Sequence, residues 1–181
     1  MLRRTLLIAS PLVLAGCAST PSDPAAHRRE IDAKVDAAMA SLNASPDLRA
    51  LASRAQAILV FPEVVSGGLI VGGSHGEGAL RVQGRTAGYY SISQASVGLL
   101  AGAQSKTMYL LYMTPDALRH LRDNEGYTIG TDASVALIEV GAEGRVDSST
   151  ARADVIGIVR NQSGFMANLS LDGTKISRLA I

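Results

Sequence analysis

Cys17 is the residue whose surroundings most clearly specify a reaction. It is the one cysteine among 181 residues, and it closes the run Leu14-Ala15-Gly16-Cys17. Ahead of it lie Arg3, Arg4 and an apolar stretch from Leu6 to Val13. A charged start, a short apolar run and a small-residue cleavage site make a secretory signal. A cysteine directly after Ala-Gly gives that signal a lipobox. The chemistry expected of the thiol is thioether formation with a diacylglyceryl group, cleavage before Cys17, and acylation of the new N-terminus. Each buried methylene contributes roughly 0.8 kcal/mol, so two chains anchor stably where one is marginal. Spanning a bilayer takes about 20 apolar residues, and this run is much shorter. Residues 1–16 therefore read as a lipoprotein signal peptide.

Other side chains able to do chemistry are sparse. The three histidines, His27, His75 and His120, stand far apart in the chain. His75 and Glu77 lie in Gly72-Gly73-Ser74-His75-Gly76-Glu77-Gly78. They could give a metal two ligands, but a zinc site needs a third and a fourth, and the sequence indicates none. No Gly-x-Ser-x-Gly stands at a strand–helix elbow, where it would offer a serine nucleophile. The glycines near His75 do not fit a dinucleotide fingerprint, and strand-like alternation follows them instead of a helix. The expectation is therefore no catalytic, cofactor-binding or metal-binding residue, with His75 solvated in a glycine-lined hairpin. Arg28, Arg29 and Lys34 are the candidate lipid-contacting residues. Their helix could lie in a headgroup layer, cations against anionic lipid. It could also pack its apolar stripe onto a sheet, the commoner fate of such a helix. Asp32 and Asp36 dilute the basic face and favour packing.

Composition narrows the function classes. With 17 basic and 16 acidic residues the formal charge is +1, so the basic excess of a nucleic-acid binder is missing. Once Cys17 is acylated, no thiol remains for a disulfide or a thiolate metal site. The length suits one domain with a sizeable core.

The elements follow from periodicity and punctuation. Residues 17–26 are small, polar and proline-bearing, and read as a flexible tether. Asp23-Pro24 supplies an N-cap and a first helical residue. Ile31, Val35, Ala38, Met39 and Leu42 then form one helical stripe, with Glu30 one turn ahead of Lys34. Ser45-Pro46 opens a second helix, burying Leu48, Leu51, Ala52 and Ala55. Ala57 to Phe61, closed by Pro62, reads as a buried strand. Glycine-separated strands are predicted at 68–74, 78–84, 86–93, 96–104 and 106–113, the last covered on both faces. Thr114-Pro115 caps a third helix, with Met113 and Leu118 placed as a hydrophobic staple and Gly126 as its stop. Further strands are predicted at 133–140, 154–160 and 164–171. Gly98 and Gly102 share one face of strand 96–104, which suits strong curvature. The fold class expected is α+β. A single domain over 27–181 carries a curved, barrel-like antiparallel sheet, two N-terminal helices and one inserted helix.

Five blocks stand in order along this framework. They are residues 57–62, the glycine-rich 67–78, Ser96 to Ser105, Gly130 to Val135, and Gly164 to Gly173. In that order, over about residues 45–175, the chain resembles the SYLF domain family. The resemblance implies a lipid-binding module, often phosphoinositide-binding in eukaryotic members, with stand-alone bacterial versions that are lipoproteins. Some eukaryotic members also bind actin. The short basic motif tied to that activity in fungal members is not recognisable here, so actin binding is not expected. The family's usual tryptophan is replaced around Tyr89-Tyr90. The combined expectation is a non-enzymatic, lipid-anchored bacterial envelope protein with no cofactor. Its partner is membrane phospholipid, through acylated Cys17 and through the domain, with no nucleic acid. Ala18, where an aspartate would signal inner-membrane retention, favours the periplasmic side of the outer membrane. The alternatives are an envelope scaffold that docks another protein, and a small periplasmic hydrolase, which would need clustered histidine and acid.

Overall fold

The computed structural model describes residues 23–68, 71–97, 104–132, 135–140, 153–161, 171 and 173–181. Cys17, Gly98, Gly102 and the strand expected at 164–171, save Leu171, lie outside the described residues.

The helices begin where their caps predict. Helix α1 (Pro24–Asn43) starts after Asp23, whose carboxylate accepts from the Ala25 amide at 3.0 Å, with Pro24 in the first turn. Its stripe is buried at Ile31, Val35, Ala38 and Leu42. Helix α2 (Pro46–Ala52) follows Ser45 and buries Leu48, Leu51 and Ala52. Helix α3 (Pro115–Asp123) is capped by Thr114, whose hydroxyl accepts from the Ala117 amide at 3.3 Å. The expected staple is not built. Leu118 packs in one core cluster and Met113 against another, across the sheet.

The strands are β1 (Ala57–Gly68), β2 (Val71–Val82), β3 (Arg85–Val97), β4 (Gln104–Tyr112), β5 (Gly126–Thr128), β6 (Ala136–Val140), β7 (Val155–Asn161) and β8 (Lys175–Arg178). They form one sheet in the order β5-β8-β3-β2-β1-β4-β7-β6, curled into a half-barrel. Pairing is antiparallel except between β6 and β7, which run parallel.

Several boundaries differ from the sequence pattern. The strands expected at 68–74 and 78–84 are one strand, β2, and most of 86–104 is one strand, β3. The punctuating residues are absorbed by the ladder. Pro62 does not end β1. It sits at a bulge where the register shifts between Val60 and Glu63 against β2 and between Phe61 and Val64 against β4, one of the few places a sheet accepts proline. The true turn is Gln83-Gly84, both at positive φ (49° and 79°), as a tight two-residue hairpin requires. Gly126 does not stop α3, which ends at Asp123. It opens β5, where a β-carbon would lie 2.8 Å from the Ile176 carbonyl oxygen.

Both faces of the sheet are covered. Ala57, Leu59 and Phe61 of β1 point into the half-barrel with Leu80, Tyr90, Met108, Leu110, Tyr112 and Ile176, and α3 adds Leu118 and Leu121. Ile58 and Val60 point outward under α1 and α2, with Ala79, Tyr109, Leu111, Ile156 and Ile158. The continuous burial of 106–112 expected from its lack of alternation is present.

Candidate functional site

The candidate site is the flank of α1 and the groove beside it. The apolar stripe of α1 is spent on the sheet, so its exposed sides must supply any surface chemistry. Docking is fixed by Asp32. One carboxylate oxygen accepts from the Thr86 hydroxyl at 2.7 Å and the other from the Tyr89 hydroxyl at 2.8 Å. Arg81 reaches the same carboxylate at 3.3 Å and Asp36 at 2.6 Å, and also bonds Thr86. Burial and the Asp32 carboxylate together hold the Tyr89 phenol above its ordinary pKa. Asp32 and Asp36, which the sequence suggests merely dilute a basic face, thus clamp α1 to β2 and β3.

The three predicted basic residues do sit on one helix, and each meets oxygen. Arg28 donates to the Ile181 main-chain oxygen at 2.8 Å. Arg29 is exposed and approaches Asp23 at 3.9 Å. Lys34 pairs with Glu30 at 2.9 Å and approaches Glu63 at 3.9 Å. The Glu30 contact raises the Lys34 pKa and lowers that of Glu30. Exposed pairs of this kind are screened by water and contribute little, so an anionic competitor can displace them.

Beside Lys34 runs a groove of about 610 Å³, lined by Ala37, Ala38, Ser41, Pro62, Glu63, Thr107, Tyr109 and Arg160. The Thr107 hydroxyl donates to the Pro62 carbonyl at 2.9 Å and holds the bulge. Tyr109 donates to the Ala38 carbonyl at 2.9 Å, and Arg160 donates to the Ser41 carbonyl at 3.0 Å. The groove therefore offers two cations, Lys34 and Arg160, one carboxylate, Glu63, and an apolar wall. Arg160 was not legible as a site residue. It lies 119 positions from Ser41, and only the sheet brings them together.

The histidines are distributed as follows. His75 is exposed on β2, mid-strand and paired with Val65 and Ser93, not at a turn. Its sequence neighbour Glu77 instead meets His27 of α1 at 2.7 Å. His120 stacks edge-on against Tyr127, with centroids 5.8 Å apart. It lines a cleft of about 290 Å³ with Asp116, Asp132 and Asp154. Asp116 pairs with Arg119, Asp132 accepts from the Thr128 amide at 2.8 Å, and His120 faces Asn124 at 3.3 Å. Among the described residues, no group of three or more histidine or acidic side chains is arranged to hold a metal. Among them, too, no helix is long and apolar enough to cross a membrane.

Residues 93–179 match the family model of Ysc84, described as a Las17-binding protein actin regulator. No curated protein matches the chain. The matched stretch runs from the end of β3 through β8 and includes the half-barrel's α3 side, Lys106 and Arg160. Over residues 93–179, therefore, the chain carries a SYLF/Ysc84 family domain.

Proposed function

We propose that this chain is a lipid-anchored, non-enzymatic bacterial envelope protein whose SYLF domain contacts phospholipid, on the periplasmic side of the outer membrane. The observation that carries the reading is the placement of α1. It is the first element after the tether that follows Cys17, and its flank borders the groove holding Lys34 and Arg160. A phosphodiester headgroup fits two cations above an apolar wall, and each basic residue at an anionic surface contributes about 1 kcal/mol. The near-neutral charge makes the expected binding modest. The lipobox supports the anchor, and Ala18 supports the outer membrane.

The test is liposome co-sedimentation of Cys17→Ser, which lacks the acyl anchor, at low salt with anionic and neutral vesicles. Binding to anionic vesicles alone, weakening as salt screens the charges, is the expected result. Equal binding to both would shift the reading to apolar insertion. No binding to either would favour the scaffold that docks another protein. The cleft holding His120 and three aspartates is what a hydrolase reading would use. A hydrolase screen that turns up an activity abolished by His120→Ala would overturn the non-enzymatic proposal.

A further inference from the structure

The interior of the half-barrel is not apolar throughout. The pairing register stacks it in layers. Phe61 and Met108 lie opposite each other in the apolar part. The next inward-facing row is Ile92, Gly76, Val64 and Lys106, on β3, β2, β1 and β4. The row beyond is Gln94, Ser74, Ser66 and Gln104. Strand alternation puts Lys106 on the same side as Met108, Leu110 and Tyr112, all members of the interior cluster.

Three features of this end are costly if it is empty. Lys106 is only 6% exposed, and among the described residues no carboxylate pairs with it. Its pKa is lowered by desolvation, with no partner charge to restore it. The Gln104 side-chain oxygen is buried with no hydrogen-bond partner. Thr174, two residues before the inward-facing Ile176, is 1% exposed and its hydroxyl is also unpaired. Buried polar groups are nearly always satisfied, and an unpaired one costs about 1–3 kcal/mol. Ser66, also buried, stands directly opposite Gln104 and diagonal to Lys106.

We infer that this polar end of the half-barrel binds a phosphate or phosphate monoester. The ligand must supply an anionic oxygen to the Lys106 ammonium. It must also supply an O–H to the Gln104 oxygen, which can only accept. A singly protonated phosphate group carries both: inorganic phosphate keeps an O–H through neutrality, and a monoester, with its second pKa of about 6, keeps one fully only in mildly acidic solution. Sulfate supplies the charge without the O–H. The occupant is either the free anion or a monoester headgroup at a lipid surface, and the two share this chemistry. The site is separate from the α1 groove, which lies on the opposite face of the sheet.

The experiment is calorimetric titration of the full chain with sodium phosphate, with sodium sulfate as comparison, and thermal melts with vesicles of phosphatidylcholine alone or mixed with phosphatidic acid. Native protein is expected to bind phosphate more tightly than sulfate, or to melt higher on phosphatidic acid vesicles than on phosphatidylcholine vesicles. The first outcome identifies the free anion and the second the headgroup. Lys106→Met should weaken the effect at least about tenfold, the scale of a lost charge-assisted hydrogen bond. Gln104→Leu keeps the charge and should erase the preference for phosphate over sulfate. It also decides the matter if Lys106→Met fails to fold. No response to phosphate or phosphatidic acid, or a response that survives both substitutions, overturns the inference.

Discussion

At the residue scale, two buried groups titrate with opposite consequences. Burial holds Lys106 below the ordinary lysine value, while the unfolded chain keeps that proton up to about pH 10.4. Between the two values the unfolded state binds more protons, so stability rises with pH across that window. Below the folded value the cost of the buried charge is complete. Tyr127 behaves the other way. Burial pushes its hydroxyl up to about 12, and burial also raises Tyr112, which shares a 2.5 Å hydrogen bond with it. That contribution is fully present below about pH 10, where both states are protonated, and is lost as pH rises through the folded value. Urea midpoints measured against pH in phosphate-free buffer should therefore rise and then fall. Lys106→Met should abolish the rise and keep the fall. Parallel curves for native and variant chains below pH 10 would contradict the assignment. His27 and Glu77 make a bond no local pattern could show, since they lie 50 positions apart. Half-exposed, it should matter little, and His27→Ala is expected to shift stability by less than about 1 kcal/mol in a denaturant melt.

At the element scale, the clamp between α1 and the sheet concentrates on one carboxylate. Asp32→Ala strands Thr86, Tyr89 and Arg81 together, and a cost of about 1–3 kcal/mol is expected. Asp36→Ala removes an exposed partner of Arg81 alone and should stay within about 0.5 kcal/mol. Equal costs in urea denaturation would show that the clamp is not centred on Asp32. The glycines of β2 face the bulged strand. A β-carbon on Gly78 would lie 1.9 Å from the Val60 carbonyl oxygen, and one on Gly76 would lie 2.6 Å from that of Glu63. Gly78→Ala should destabilise by about 1–3 kcal/mol, the scale of overpacking, whereas Gly67→Ala, with open space around it, should be nearly neutral. A neutral Gly78→Ala would mean the strands can part freely. The helices were legible because caps and stripes are local: Asp23, Thr114 and the spacing from Ile31 to Leu42 say enough. The strand limits were not, because a glycine that ends a strand and a glycine that lets another strand approach look alike in sequence. β5 and β8 were missed for a related reason. They have three and four residues, too few for alternation to register, and only pairing with each other and with β3 defines them.

At the scale of the whole molecule, the proposed anchor on Cys17 would govern where the domain meets its partners. Mass spectrometry of the native protein should find residues 1–16 absent and a glyceride-derived mass on Cys17. An intact N-terminus with a free thiol would refute the lipoprotein reading, and Cys17→Ser should leave the chain unprocessed or released from membranes. Arg28, Arg29 and Lys34 could be read from sequence as cations near the tether, but their acidic neighbours and Arg160 across the groove could not. The sheet's two ends bear on a different matter. Among the described residues, the outermost strands of the half-barrel are β5 and β6, of three and five residues, while the strands of nine to thirteen residues are all interior to the sheet. Unpaired edge strands are templates on which a second copy can continue the ladder, and short edges blunt that tendency. Molecules confined to a surface meet one another far more often than molecules in bulk. A sheet that places its least adhesive strands outermost can be crowded without polymerising.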